Sequence, residues 1–158
     1  SPATYHDAFV EISGKINATL SEISRLGLNT SSSDELIRVT KMQEQLRRFE
    51  EMVFQLATQM SRKDISARAR ELGNVIMESA DFIMLTAIDA IRSREEGEID
   101  TLAILTLDRS ELMTKMRHNY FNSEMELSEA DRNFVLDVTI LFENVIQILA
   151  RYGVLLKS

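Results

Sequence analysis

Residues 134–155, FVLDVTILFENVIQILARYGVL, decide the fold. Phe134, Val138, Leu141, Val145, Ile148, Tyr152 and Leu155 recur there at alternating steps of three and four, which sets them on one face of a helix. Upstream, Val39, Met42, Leu46, Phe49, Val53, Leu56 and Met60 repeat the pattern. Two long helices with apolar stripes must bury them against other helices. β-type alternation does not compete anywhere along the chain. The expected fold is all-α: an antiparallel helical bundle of about five long helices joined by short loops.

Working outward, the first helix is expected near 4–28, with Phe9, Ile12, Ile16, Leu20, Ile23 and Leu26 facing inward. Gly27 and the polar run Asn29-Thr30-Ser31-Ser32-Ser33 end it, and Ser33 or Asp34 caps a second helix near 34–60. A third is expected near 65–92, with Leu72, Ile76, Ile83, Met84, Ala87 and Ile91 on its apolar side. Ser93 to Gly97 turn into a fourth near 98–120, and residues 122–127 lead to the last, near 128–156. Ser128 followed by Asp131 resembles a capping box, with Asp in place of Glu or Gln.

The chain has 158 residues, 44% of them hydrophobic and 27% charged, enough for one domain with a genuine core. One proline, Pro2, and five glycines leave few helix breaks. The net charge of -7 opposes docking on nucleic-acid phosphates or an anionic membrane, so nucleic acid is not an expected partner. Arg62, Lys63, Arg68 and Arg70 cluster, but Asp64 and Glu71 interrupt them, which reads as a solvated helix start. The lack of cysteine excludes disulfides, thiolate metal sites and cysteine nucleophiles. Without a run of about 18 apolar residues, no bilayer span is expected. The start Ser-Pro-Ala lacks an initiator methionine, which suggests a piece of a longer protein.

Candidate chemistry is sparse. Of the two histidines, His6 lies in the first helical turn and His118 near the end of the fourth helix. Neither follows a Glu by three residues or heads a zinc-type pair, so no metal ligand set, cofactor site or catalytic residue is assigned. His118 fits a surface cation favoured by the helix dipole, with a phosphotransfer role as the alternative. Glu44 with Arg48 and Arg47 with Glu51 have the spacing of exposed ion pairs.

Two features depart from plain scaffold. Arg109 falls among Leu102, Leu105, Leu112 and Met116 where a leucine is expected; its guanidinium either snorkels to the bundle edge or has a ligand or register role. The polar stripe of the last helix, Asn133, Glu143, Gln147 and Arg151, is interleaved with Leu136, Ile140 and Val154. Apolar residues on a wet face mark a contact surface, although exposed singles are also ordinary. The candidate interaction residues are therefore Arg109, Leu136, Ile140, Glu143 and Val154, and the last helix is expected to be largely covered in its assembly.

The stretch from Leu72 to Arg117 contains Leu72-Gly-Asn-Val-Ile-Met-Glu-Ser-Ala-Asp81, Ala87-Ile88-Asp89-Ala90-Ile91, the acidic turn Glu95-Glu96-Gly97-Glu98, and Asp108-Arg109-Ser110-Glu111-Leu112. It resembles the opening two helices of a PhoU-like repeat, and Leu46-Arg47-Arg48-Phe49-Glu50-Glu51-Met52 resembles the end of a preceding unit. The resemblance implies a partial unit over 1–62 and a complete, spectrin-like three-helix unit over 63–158. The order is most similar to the cytosolic C-terminal region of bacterial sodium–phosphate cotransporters. It implies a non-catalytic regulatory or interaction domain on the cytoplasmic side of the inner membrane, with the membrane domain of the same polypeptide or transporter as partner. The family's Glu/Asp-x-x-x-Asp metal motif is degenerate here, reading Arg47…Glu51 and Glu143…Gln147, so metal binding is not carried over. A partial first unit leaves one side open, which a second copy would close as a homodimer. The alternative function is an extracytoplasmic helical sensor in which Arg109 recognises an anionic ligand.

Overall fold

The computed structural model describes residues 1–123 and 126–158, apart from the side chain of Pro2. The described residues form six helices and no strand: α1 (Pro2–Ser24), α2 (Thr30–Met60), α3 (Ala67–Ser93), α4 (Glu96–Leu105), α5 (Ser110–Phe121) and α6 (Glu129–Lys157). The all-α bundle is as expected. The expected link over 122–127 contains Glu124 and Met125, which lie outside the described residues.

Four of the six helix starts, those of α1, α2, α3 and α6, follow side-chain caps, which satisfy N–H groups that have no partner in the first turn. Asn29 accepts from the Ser32 N–H at 2.8 Å, Ser66 from Ala69 at 3.2 Å and Ser128 from Asp131 at 3.1 Å. The Asn29 cap corrects the expected start of the second helix: the serine run lies inside α2, and neither Ser33 nor Asp34 caps it. At the α3–α4 turn, Arg94 takes the left-handed conformation (φ 55°) before Glu96 and Glu98 open α4 with charge that favours its dipole.

The largest departure is in the expected fourth helix, which is broken into α4 and α5. The Thr106 hydroxyl donates back to Leu102 O at 2.7 Å, and Asp108 accepts from the Ser110 N–H at 2.9 Å. These local bonds compete with continuation of the helical ladder and restart it at Ser110. The seam is rephased accordingly: Met113 is buried, whereas Leu112 is 46% exposed.

Consecutive helices alternate in direction, counting α4 and α5 as one leg. Arg38 near the start of α2 donates to Leu155 O near the end of α6, at 3.1 Å. Lys157 at the end of α6 pairs with Asp100 in α4. Ser66 before α3 meets Asp131 at the start of α6, so those two helices run parallel. α6 is the central element, packed against α2, α3, α4 and α5. Leu56, Ile76, Leu102, Met113 and Phe134, one from each of α2 to α6, belong to one core and are at most 2% exposed. Burying each such side chain contributes up to roughly 1.5–3 kcal/mol.

By length and composition α6 is long and apolar enough to cross a membrane; 56% of its apolar window is buried inside the bundle. α1 differs. Its main contact is with α2, and the residues expected inward are largely outward: Ile12 is 57% exposed, Ile16 39%, Ile23 36% and Leu26 62%. The apolar stripe is real, but among the described residues only α2 packs substantially against α1, and Leu26 lies in the turn past the helix end at Ser24.

Candidate functional site

The α4–α5 break faces the middle of α6 and leaves a groove of about 340 Å³. Thr106, Asp108, Arg109 and Ser110 form one wall; Glu143, Gln147 and Arg151 form the other. Arg109 thus occupies the start of α5 rather than a position inside a continuous seam, which corrects the sequence expectation. It is half-buried, and its guanidinium donates to Leu105 O at 3.4 Å. Asp108 is held below the usual carboxylate range by the Ser110 hydroxyl and the Ser110 backbone N–H.

Of the residues singled out from sequence, the groove brings Arg109 and Glu143 together. The Glu143 carboxylate is engaged by Arg117, which donates at 3.1 Å to Glu143 and at 3.0 Å to Thr139. Both side chains of that pair are 19% exposed. Leu136, Ile140 and Val154 do not join Arg109. They lie along the narrow exposed stripe of α6 at 39%, 48% and 68% exposure. Ile140 borders a second groove with Met52, Phe54 and Asn144, between α2 and α6.

Arg117 escaped the sequence reading because its partner lies 26 residues away, a distance at which spacing carries no information. The break itself had a local sign: Asp108 followed three residues later by Glu111 has the spacing of a helix start. Of the basic residues expected to be solvated, Lys63 is exposed as expected, whereas Arg62, Arg68 and Arg70 make ties within the chain. Arg70 donates to Met60 O at 3.0 Å and also to Arg62 O, and Arg62 pairs with Asp64 at 2.8 Å. Arg68 lies 4.6 Å from the centre of the Tyr120 ring and donates to Ser123 at 2.6 Å. Glu51 accepts from Gln55 at 3.1 Å instead of pairing with Arg47.

A further cluster joins α1 to α2. His6 Nδ1 lies 2.8 and 2.9 Å from the two Glu50 oxygens, and the imidazole stacks on Phe54 with ring centres 4.2 Å apart. The hydrogen bond to Glu50 raises the His6 pKa, opposed by partial desolvation. His6, Glu50 and Glu51 offer three ligand atoms within 4.8 Å of one another, the one such set among the described residues. An Nδ1–H shared between the two Glu50 oxygens accounts for both short contacts, and protonation of the ring adds charge to that bond.

A third groove, about 490 Å³, runs between α3 and α5 over α6. Met113, Met116 and Phe142 line it, and Val75, Phe82 and Leu112 border it at 50%, 60% and 46% exposure. The exposed apolar edge of α3 went unnoticed in sequence, where the third helix reads as having a single apolar side. Comparisons with known families, curated proteins and solved structures return no match for this chain.

Proposed function

We propose that this chain is a non-catalytic interaction and regulatory domain, carried on the cytoplasmic side of the inner membrane by a sodium-dependent phosphate transporter. The observation that carries the contact role is the exposed apolar surface beside the α3–α5 groove, where Val75, Phe82 and Leu112 stand together on a helical scaffold. The transporter assignment rests on the PhoU-like stretch Leu72–Arg117. Its helix end at Ala87–Ile91 and its acidic turn at Glu95–Glu98 fall at the junction of α3 and α4. The membrane domain of the same polypeptide is the partner this reading implies. Phe82→Glu in the full-length protein is expected to alter sodium-dependent phosphate uptake at unchanged expression. Uptake equal to wild type at every phosphate concentration would count against it.

A second reading is an extracytoplasmic ligand-sensing bundle. Arg109 and Arg151 on opposite walls of the α4–α6 groove favour it, because guanidiniums suit an anion and the nearby Glu143 carboxylate is already engaged by Arg117, although Asp108 on the same wall offsets part of the charge. The coding sequence separates the two: several hydrophobic segments ahead of residue 1 support the transporter, and a single segment on either side supports the sensor.

A further inference from the structure

α1 carries two different faces. His6, Ser13 and Leu20 face the α2 side, and the contact there is partly polar: Ser13 is 6% exposed, Gln43 8%, and His6 binds Glu50. The most apolar line of α1 lies beside that contact. On α1, Tyr5, Phe9, Ile12, Ile16 and Ile23 keep the steps of four and three, with Thr19 the one polar member, and Leu26 continues the spacing in the turn just past the helix end at Ser24. This 3.5-residue spacing is that of a coiled-coil seam, which specifies a facing helix. Among the described residues no helix covers it fully: Tyr5 is 80% exposed, Ile12 57%, Ile16 39% and Ile23 36%.

We infer that this seam pairs with α1 of a second copy, antiparallel, about a two-fold axis between Asn17 and Ala18. In that register the helical overlap is residues 11–24, where Ile12 meets Ile23 and Ile16 meets Thr19 of the other copy, so large residues face each other away from the axis. The flank of the seam pointing away from α2 carries Lys15 and Glu22. The antiparallel register sets Lys15 of each copy beside Glu22 of the other, twice over by symmetry. Lys15 is free to take this position, since it is 76% exposed and its present partner is the equally exposed Glu11 at 3.2 Å. A parallel pairing would set Lys15 against Leu20 and Glu22 against Gly27, with no complementary charge. The inference goes beyond the transporter reading and does not depend on it.

Sedimentation equilibrium of the whole chain tests the proposal, with a dimer expected. Ile12→Glu with Ile23→Glu should give a monomer of unchanged helical circular dichroism, because in the single chain Ile12 is 57% and Ile23 36% exposed and neither belongs to the shared core. Lys15→Glu should weaken dimerisation at least tenfold, and adding Glu22→Lys should restore it. The chain has no cysteine, so single-cysteine variants report register directly. Ile12→Cys mixed with Ile23→Cys should cross-link more than tenfold faster than either variant alone. A monomeric wild type, a dimer that survives the double glutamate variant, or preferential self-linking of each cysteine variant would each overturn the proposal.

Discussion

The carboxylate of Asp131 accepts from the Ser66 backbone N–H at 2.8 Å and from the Ser66 hydroxyl at 2.6 Å, while its own N–H donates to Ser128. Half of the capping box is therefore present: Ser128 caps α6, but the Asp131 side chain leaves its own helix and ties down the start of α3. Asp131 is 5% exposed, so its removal leaves two Ser66 donors without that acceptor in a confined place. Asp131→Ala is expected to destabilise the chain by about 1–3 kcal/mol. Urea denaturation should show this as a lower midpoint at unchanged slope. Arg109 and Glu143 illustrate the same scale differently. Both are conspicuous in sequence, yet their surroundings follow from Thr106, Asp108 and Arg117, none of which stands out beside them.

At the scale of elements, α1 packs mainly on α2 and contributes no side chain to the shared hydrophobic core. Its tie through His6 and Glu50 makes that packing dependent on pH. The folded-state pKa of His6 lies above its ordinary 6.5, chiefly through the Glu50 hydrogen bond. A group raised on folding stabilises fully below its unfolded pKa and ceases to do so as pH rises through the folded value. The α1–α2 contact is thus expected to be tightest in mild acid and to loosen toward alkaline pH. Amide exchange in α1, corrected for intrinsic base catalysis, should speed up as pH rises beyond the ordinary imidazole value of 6.5. His6→Gln should abolish that excess while leaving α6 unaffected. The second element-scale lesson is the division of α4 from α5. Leu102 and Leu105 continue in phase toward Leu112 and Met116 on an uninterrupted helix, and that phase is lost at Thr106–Arg109.

Across the whole molecule, α2, α3 and α6 meet at Gly73. A Cβ there would lie 2.7 Å from Met60 Sδ and 2.8 Å from Phe134 Cζ, closer than any real side chain is tolerated. Met60 is flexible, but the Phe134 ring is fully buried and has no room to retreat. Gly73→Val is therefore expected to cost about 1–3 kcal/mol through overpacking. Scanning calorimetry should record this as a Tm lower by several degrees. Because α2 through α6 share one core, the loss should appear as a shift of a single cooperative transition rather than as a new one.

What the sequence determined by itself is local in origin. Helix period, cap residues and the scarcity of Gly and Pro act over a few residues, so the all-α class and the Ser128 cap were legible. The seam of residues 134–155 was legible too: Phe134, Val138, Val145 and Ile148 are at most 2% exposed. Only the tertiary structure decided which apolar faces are covered, because burial depends on what lies opposite. The stripes of α6 and α1 follow the same sequence rule, yet four helices surround one and solvent meets the other. The pairings of Asp131 with Ser66, Arg117 with Glu143 and His6 with Glu50 join residues 65, 26 and 44 positions apart, and chain folding alone brings them within hydrogen-bond reach.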